Sequence, residues 1–299
     1  MPISFKEDHI SQIPALLMLE KLGYTYLTPD EALALRGGNL ANVLLEPVLR
    51  KQLAAINVVQ VSSVRTTVFS EQNITAGIDA LRNIPMDEGF MEASQTVYDL
   101  LTSGKTLEQI VDGDRKSFVM QYIDWKNPRN NVFHVTEEFA VSRTGMTETY
   151  RPDIVLFVNG IPLCVIECKR PDVKDSIEQA ISQHLRNQKA DGIRSLYLYS
   201  TLLLAINRQE GSYATTATPE KFWARWREQF ADREEEARYR QELERVVNEP
   251  LLDDKLFGER FGYVRRNFEE LYRQPVTPSV QDEYLYNLCR PERLLQLMY

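Results

Sequence analysis

The chain has 299 residues, of which 43% are hydrophobic and 26% charged, and its formal net charge is −8. This composition is ordinary for a globular protein of one or two domains, and no apolar run approaches the roughly 20 residues that span a bilayer. The negative charge excludes a protein coated in positive charge for nucleic acid, but it leaves room for a local basic groove. Because residues 1–20 lack the features of a signal peptide, we expect a cytoplasmic protein.

The first part of the chain predicts helices and loops. Prolines at positions 14, 29 and 47 punctuate residues 1–60. Apolar residues at helical spacing predict helices within 39–55, 72–82 and 90–103, and a further short helix after Thr106.

From about residue 117 the pattern changes to short β-rich runs. The clearest are 154–158 and 163–166, which flank the turn dipeptide Asn159-Gly160 and follow shorter runs at 133–135 and 139–141. Two such runs around Asn-Gly are the strongest short-range signal for a β-hairpin. Both runs are almost continuously apolar, so we expect this hairpin to lie in the centre of its sheet.

The order of elements after the hairpin predicts the fold class. Residues 175–189 have a helical pattern, 196–199 and 202–206 resemble strands, and charged helices follow residue 220. This order predicts an α/β fold with a central mixed sheet flanked by helices, plus helical N- and C-terminal segments. Residues 291–299 end in an apolar helical pattern without a cap, so we expect the chain to be cut from a longer one.

The cysteines and one histidine are predicted to be structural. Cys164, Cys168 and Cys289 are odd in number and show no CxxC spacing, so they indicate neither a disulfide framework nor a zinc site. Cys164 and Cys168 lie in a predicted strand and are expected in the core. His184 falls near the apolar stripe of its helix and is expected to be packed.

Three charged residues at the ends of the hairpin strands are the candidates for chemistry. Glu167 and Lys169 are two residues apart, so in a strand they share a face. Charged groups at the end of an apolar run need a partner or a metal. Asp153, Glu167 and the main-chain carbonyl of Cys168 could supply oxygen ligands to Mg²⁺, and Lys169 could place positive charge beside a scissile phosphate.

The register of the hairpin tests this metal-site hypothesis. An ideal two-residue turn pairs Val158 with Ile161 and places Asp153 opposite Ile166, so that Glu167 faces the other way. The hypothesis therefore predicts a bulged or longer turn, which Pro162 favours because it disfavours regular pairing. The alternative reading is an ion pair of Lys169 with one carboxylate and no catalysis. The short D…ExK spacing alone does not decide between the two.

A longer stretch of sequence resembles a known family. Residues 151–169, RPDIVLFVNGIPLCVIECK, closely resemble the nuclease core of the R (restriction) subunit of type I restriction-modification enzymes. The similarity extends over nearly the whole chain, through residues 133–141, 202–226 (including TTATPEKFW) and PERLL at 291–295.

The resemblance implies both a fold and an activity. It implies a PD-(D/E)xK restriction-endonuclease-like core, a Mg²⁺ requirement and cleavage of double-stranded DNA by phosphodiester hydrolysis. It also implies two partners, a methyltransferase subunit and a specificity subunit that recognises DNA. The family's ATP-driven translocase is not expected here, because the chain has no GxxxxGK[ST] phosphate loop. ATP is therefore expected only for a full-length protein.

The helix after Lys169 departs from the family pattern. Related nucleases often carry a QxxxY motif there, but Gln183 is followed four residues later by Asn187 instead of Tyr. Gln183 is expected either to orient Lys169 or to contact DNA, or else to lie on a solvated helix face. Lys174, Arg186 and Lys189 are candidate DNA contacts or ordinary surface charges.

These observations predict two regions and one leading function. Residues 1–255 are interpreted as an endonuclease domain with its catalytic core at about 117–207, and 256–299 as a linker and the start of a truncated motor domain. The leading function is a Mg²⁺-dependent endonuclease domain of a type I restriction enzyme R subunit. The alternative is a catalytically degenerate interaction module that docks restriction-modification subunits. No membrane association is expected.

Overall fold

The computed structural model describes residues 11–62, 65–251, 253–258 and 260–299. Residues 1–10 lie outside this described part, and they are half of the segment 1–20 that lacks the features of a signal peptide. The helices are α1 (Ile13–Lys21), α2 (Pro29–Ala34), α3 (Glu46–Ile56), α4 (Glu71–Arg82), α5 (Phe90–Ser103), α6 (Ser176–Asn187), α7 (Arg194–Tyr197), α8 (Arg233–Asn248), α9 (Arg265–Leu271), α10 (Val280–Cys289) and α11 (Pro291–Met298). The strands are β1 (Thr25–Leu27), β2 (Val58–Ser62), β3 (Arg65–Val68), β4 (Lys105–Val111), β5 (Asp114–Met120), β6 (Phe133–Glu137), β7 (Val141–Ser142), β8 (Thr149–Tyr150), β9 (Ile154–Val158), β10 (Ile161–Cys168), β11 (Leu202–Ile206) and β12 (Gly211–Ala214).

A six-stranded mixed sheet forms the centre of the described structure. Its strand order is β1-β6-β9-β10-β11-β12. The β1/β6 and β10/β11 pairs are parallel, and the other neighbouring pairs are antiparallel. Helices flank this sheet, so the predicted α/β fold with a central mixed sheet is confirmed.

The predicted hairpin is the centre of this sheet. Every residue of β9 and β10 is buried, which explains why both runs are almost continuously apolar. Helix α6 contacts β10 and β11, and its residues Ile177, Ala180 and Ile181 pack against Ala205. Helix α1 contacts β1, β6 and α10.

The hairpin has a tight turn followed by a bulge. Asn159 and Gly160 both have positive φ, 52° and 84°, and Val158 pairs with Ile161 across a two-residue turn. The register then shifts between Pro162 and Cys164, so that Ile154 lies opposite Ile166. The predicted shift in register is confirmed, but it does not come from a longer turn: the turn has two residues, and the extra residue is Leu163 within the strand.

Several predicted elements are wrong. The short helix expected after Thr106 is strand β4, which pairs with β5 around the turn Asp112-Gly113, where both residues have positive φ. The strand expected at 196–199 does not form: Leu196 and Tyr197 end helix α7, and a turn follows. A four-residue apolar run does not distinguish a buried helix from a strand. Within 1–60, where only helices and loops were expected, strands β1 and β2 also form.

The C-terminal helices belong to the same hydrophobic core as the sheet. Leu285, Leu288, Cys289 and Leu294 are fully buried members of the main core cluster. The domain boundary near residue 255 stays a prediction, and the described residues on both sides of it contribute to one core. No helix in the described ranges is long and apolar enough to cross a membrane.

Candidate active site

The bulge at Leu163 brings Asp153 and Glu167 to the same point of the sheet. Because Ile154 lies opposite Ile166, the next position along each strand places Asp153 opposite Glu167. The backbone N–H of Cys168 donates to Asp153 Oδ2 at 2.7 Å, which fixes the Asp153 carboxylate against the end of β10. The structure therefore brings together the two carboxylates that the sequence proposed as metal ligands.

Lys169 completes this group at the end of β10. Its Nζ lies 3.4 Å from Asp153 Oδ2 and donates to the Cys168 carbonyl at 3.0 Å. The Lys169 and Asp153 side chains are only 12% and 16% exposed. The ammonium thus contacts two of the three groups whose oxygen atoms are expected to bind a divalent cation. We call Asp153, Glu167 and Lys169, together with the Cys168 carbonyl, the candidate site.

Glu167 is fully buried and has one carboxylate oxygen without a hydrogen-bond donor. Gln183 Nε2 donates to Glu167 Oε2 at 2.6 Å, whereas Oε1 has no donor among the described residues. Burial raises the pKa of Glu167 well above its ordinary value, and the neighbouring Asp153 carboxylate raises it further, while Lys169 acts in the opposite direction. Without a cation, the buried carboxyl therefore tends to keep its proton.

Gln183 contacts the metal-ligand candidate Glu167, a partner that the sequence did not predict. It lies on α6 at the edge of an open groove, which we call the α6 groove and which is lined by Lys169, Asp175, Glu178, Gln179, Ser182, Gln183 and Arg186. The contact seen here therefore fixes the Glu167 carboxylate instead of orienting Lys169, and it excludes a purely solvated role for Gln183.

The candidate site fits a hard divalent cation that binds few protein ligands. Among the residues that the structure describes, no group of three or more His, Cys, Asp and Glu side chains could hold a metal. Mg²⁺ typically takes one or two carboxylates, with water and phosphate oxygens filling its remaining positions. The unpartnered Oε1 of Glu167 is a buried acceptor that such a cation would satisfy.

The three candidate DNA contacts lie in different environments. The Arg186 guanidinium lines the α6 groove, lies 4.4 Å from the Tyr150 ring centroid and donates to Asn187 Oδ1. Lys174 is 92% exposed, and Lys189 is exposed just beyond the C-terminal end of α6. Arg186 is therefore the member of this set that the structure places with Lys169 and Gln183.

Two further residues of α6 are structural. His184 is fully buried between the Tyr197 hydroxyl and the Leu204 carbonyl, each 3.0 Å from a ring nitrogen, and burial lowers its pKa to about 4. The prediction of a packed histidine is confirmed. Asn187, at the position of the family's Tyr, is also fully buried and lies 3.5 Å from the Tyr197 hydroxyl. Cys164 and Cys168 are buried, as predicted.

Two residues immediately before α1 contact the candidate site, and no sequence motif points to either of them. Ser11 Oγ donates to the Lys169 carbonyl at 2.7 Å, and Gln12 Nε2 donates to the Asp153 carbonyl at 3.0 Å. Both contacts join residues more than 140 positions apart in the chain. No local pattern in a single sequence encodes such a contact.

Comparison with known proteins finds similarity to subunits of restriction enzymes. A family model described as type I restriction enzyme R protein N terminus matches residues 4–222. The putative type I restriction enzyme MjaIXP endonuclease subunit of Methanocaldococcus jannaschii is 27% identical over 228 residues, which are 74% of this chain and 20% of the relative. The type I restriction enzyme HindI endonuclease subunit of Haemophilus influenzae is 29% identical over 206 residues, 66% of this chain and 18% of the relative. The chain thus spans about a fifth of the length of the curated relatives it matches.

Proposed function

This chain belongs to the family of type I restriction enzyme R protein N-terminal regions, and we propose that its candidate site hydrolyses phosphodiester bonds of double-stranded DNA with Mg²⁺. The observation that carries the proposal is the register shift at Leu163, which aligns Asp153 with Glu167 beside Lys169. Its similarity to proteins named endonuclease subunits supports a nuclease.

The candidate residues have separate roles in this proposal. Asp153, Glu167 and the Cys168 carbonyl would hold Mg²⁺, which when bound supplies positive charge beside the scissile phosphate and lowers the pKa of an attacking water. Gln183 holds one oxygen of Glu167, so that the other oxygen stays directed into the site.

Lys169 has two positions in this proposal. Without a cation its ammonium lies against Asp153 Oδ2 and the Cys168 carbonyl. If these oxygens held a cation, the lysine side chain would turn toward the α6 groove, which it already lines. There it would stabilise the negative charge that develops on the phosphate.

The partners of the site are also proposals. Double-stranded DNA would enter along the α6 groove, where Arg186 offers a guanidinium to a phosphate. Methyltransferase and specificity subunits of a restriction-modification complex would deliver this DNA. We do not assign ATP binding to these residues, because they lack a phosphate loop.

The activity is tested in the complete restriction enzyme by the substitution Glu167→Ala. We expect loss of DNA cleavage with ATP hydrolysis retained, because the substitution removes one metal ligand and leaves the rest of the enzyme intact. Glu234→Ala is the matched control, since Glu234 is an exposed carboxylate on α8 that does not line the α6 groove, and it should cleave normally. Full cleavage by the Glu167→Ala enzyme would refute the proposal. A wild-type complex that assembles and hydrolyses ATP but never cleaves would favour the interaction-module alternative.

A further inference from the structure

Ser11 and Gln12, which immediately precede α1, form hydrogen bonds to the two strand ends at the candidate site. The Gln12 amide donates to the Asp153 carbonyl, which also accepts the backbone N–H of Glu138 at 3.0 Å. The Ser11 hydroxyl donates to the Lys169 carbonyl, while the Lys169 N–H donates to the Ile206 carbonyl in β11 at 2.9 Å. The backbone of each residue is thus held by one main-chain hydrogen bond and by one side-chain hydrogen bond from the segment that precedes α1.

These two contacts act where regular strand pairing ends. β9 begins at Ile154, one residue after Asp153, and β10 ends at Cys168, one residue before Lys169. Pro171, two residues after Lys169, has no N–H with which to continue a ladder. Side-chain donors therefore satisfy the main-chain carbonyls of Asp153 and Lys169, as neighbouring strands satisfy carbonyls inside the sheet.

A buried glutamine from α10 fixes the start of α1 in turn. Gln281 is fully buried, and its Nε2 donates to the Ser11 carbonyl at 2.9 Å. Helices α1 and α10 also contact each other. A chain of contacts therefore runs from α10 through Ser11 and Gln12 to both strand ends.

We propose that Ser11 and Gln12 are positioning residues of the nuclease, and that Gln281 makes α10 a determinant of the site geometry. The inference rests on the proposed function. Gln12 positions Asp153, a metal ligand, whereas Ser11 positions Lys169, which acts on the phosphate. The two contacts thus support different steps of one reaction, and their losses have different kinetic signatures.

The test measures DNA cleavage by the complete enzyme as a function of Mg²⁺ concentration. Gln12→Met should raise the Mg²⁺ concentration for half-maximal cleavage about fivefold, the factor that corresponds to one typical hydrogen bond. Ser11→Ala should lower the rate at saturating Mg²⁺ by about the same factor and leave the Mg²⁺ dependence unchanged. Ser11→Thr, which keeps the hydroxyl, should restore the rate. Gln281→Met should show both effects.

The control removes a similar hydrogen bond from the other end of the same strand. Ser200 is buried, and its Oγ shares its proton between the Pro162 carbonyl in β10 at 3.2 Å and the Leu196 carbonyl at 3.0 Å. Ser200→Ala should lower the melting temperature about as much as Ser11→Ala, and it should alter neither kinetic parameter. If Gln12→Met does not fold, Gln12→Asn replaces it, because Asn keeps the amide but is one methylene too short.

The outcomes separate this inference from the proposed function. Identical kinetic changes in Ser11→Ala and Gln12→Met, or changes that follow the melting temperature as in Ser200→Ala, would overturn the positioning roles. Glu167→Ala is measured alongside them. If Glu167→Ala cleaves like the wild type, the proposed function has failed. If it is inactive while Ser11→Ala and Gln12→Met behave like the control, the positioning inference alone has failed.

Discussion

Glu167 is a carboxylic acid in the interior of the protein, with no part of its side chain exposed to solvent. Burial, and then the Asp153 carboxylate, raise the pKa of Glu167 well above its ordinary value of 4.5, because both disfavour the charged form. The folded chain therefore keeps the proton on Glu167 at pH values above 4.5. Between pH 4.5 and the raised pKa, the folded state therefore binds more protons than the unfolded state. The stability that this proton contributes is fully present below pH 4.5 and is lost as the pH rises through the raised pKa.

The substitution Glu167→Gln should therefore stabilise the chain at neutral pH. Without divalent cations, we expect a gain of about 1–3 kcal/mol at pH 8, the range for relieving an unsatisfied buried group, and the gain should shrink toward pH 4. Urea unfolding from pH 4 to pH 8 measures it, with the exposed Glu178→Gln as the control. Burial lowers the pKa of His184 to about 4, so the stability that this residue contributes is lost as the pH falls below 6.5. This loss is the same in every variant and cancels from the difference between variant and wild type. A variant less stable than the wild type at pH 8 would contradict this account of Glu167.

The Lys169 ammonium lies where the proposal would put Mg²⁺. Its ammonium contacts Asp153 Oδ2 and the Cys168 carbonyl, both of which the proposal assigns to Mg²⁺. Lys169→Met should therefore tighten Mn²⁺ binding by about tenfold, equivalent to about 1.4 kcal/mol, while it abolishes cleavage. Calorimetric titration with Mn²⁺ measures the affinity, and Lys174→Met, at a 92% exposed lysine, is the matched control. Unchanged or weaker Mn²⁺ binding by Lys169→Met would show that the lysine does not compete with the cation.

At the scale of elements, local signals decided which parts could be predicted. The β9/β10 hairpin was predictable because Asn159-Gly160 and its apolar flanks form a local pattern. The bulge could be inferred only as a requirement of the metal site, since no residue type specifies Leu163 as the extra position. Strand β4 was mistaken for a helix although Asp112-Gly113 is a hairpin signal of the same kind.

The positioning contacts of α1 could not be predicted at all. Ser11 and Gln12 contact residues 158 and 141 positions away, and Gln281 contacts Ser11 across 270 positions. Such contacts depend on how whole elements pack together. A single sequence can single out charged residues at the end of an apolar strand as candidates for chemistry, because charge there is unusual, but it does not identify the distant residues that contact them.

Gly160 links the central hairpin to α3. Its φ is +84°, and a Cβ at this position would lie 2.6 Å from the Leu45 carbonyl, next to the hydrogen bond from Leu45 N–H to the Gly160 carbonyl. Gly160→Ala should therefore destabilise the chain by about 3 kcal/mol, from backbone strain and the clash together. Gly113→Ala is the matched control, because Gly113 has φ +88° but no atom within 4 Å of an added Cβ. Its loss should be only about 1 kcal/mol, from strain alone. Equal losses in thermal or urea unfolding would show that contact with Leu45 is unimportant.

At the scale of the whole molecule, charge predicts weak DNA binding by the isolated chain. Its net charge is −8, and the α6 groove mixes Lys169 and Arg186 with Asp175 and Glu178. Neutralisation of phosphates supplies most of the affinity of proteins for nonspecific DNA. A site that receives no fixed phosphate also loses the advantage of orientation.

We therefore expect the isolated chain to cut plasmid DNA poorly, even with Mg²⁺ at modest salt. Gel electrophoresis of plasmid DNA incubated with the wild-type chain or with Glu167→Ala measures the extent of cutting. Efficient cutting by the wild type that is lost in Glu167→Ala would contradict the expected dependence on delivery by partner subunits, while it would support the site itself.

We propose that Asp153, Glu167 and the Cys168 carbonyl form a cation site, and anomalous density from Mn²⁺ soaked into crystals of this chain would test it. We expect one strong peak within coordination distance of Glu167 Oε1, Asp153 and the Cys168 carbonyl. In the same crystal, the Lys169 ammonium should have left Asp153 Oδ2. No peak at this position in saturating Mn²⁺, or a peak that does not involve Glu167, would contradict it.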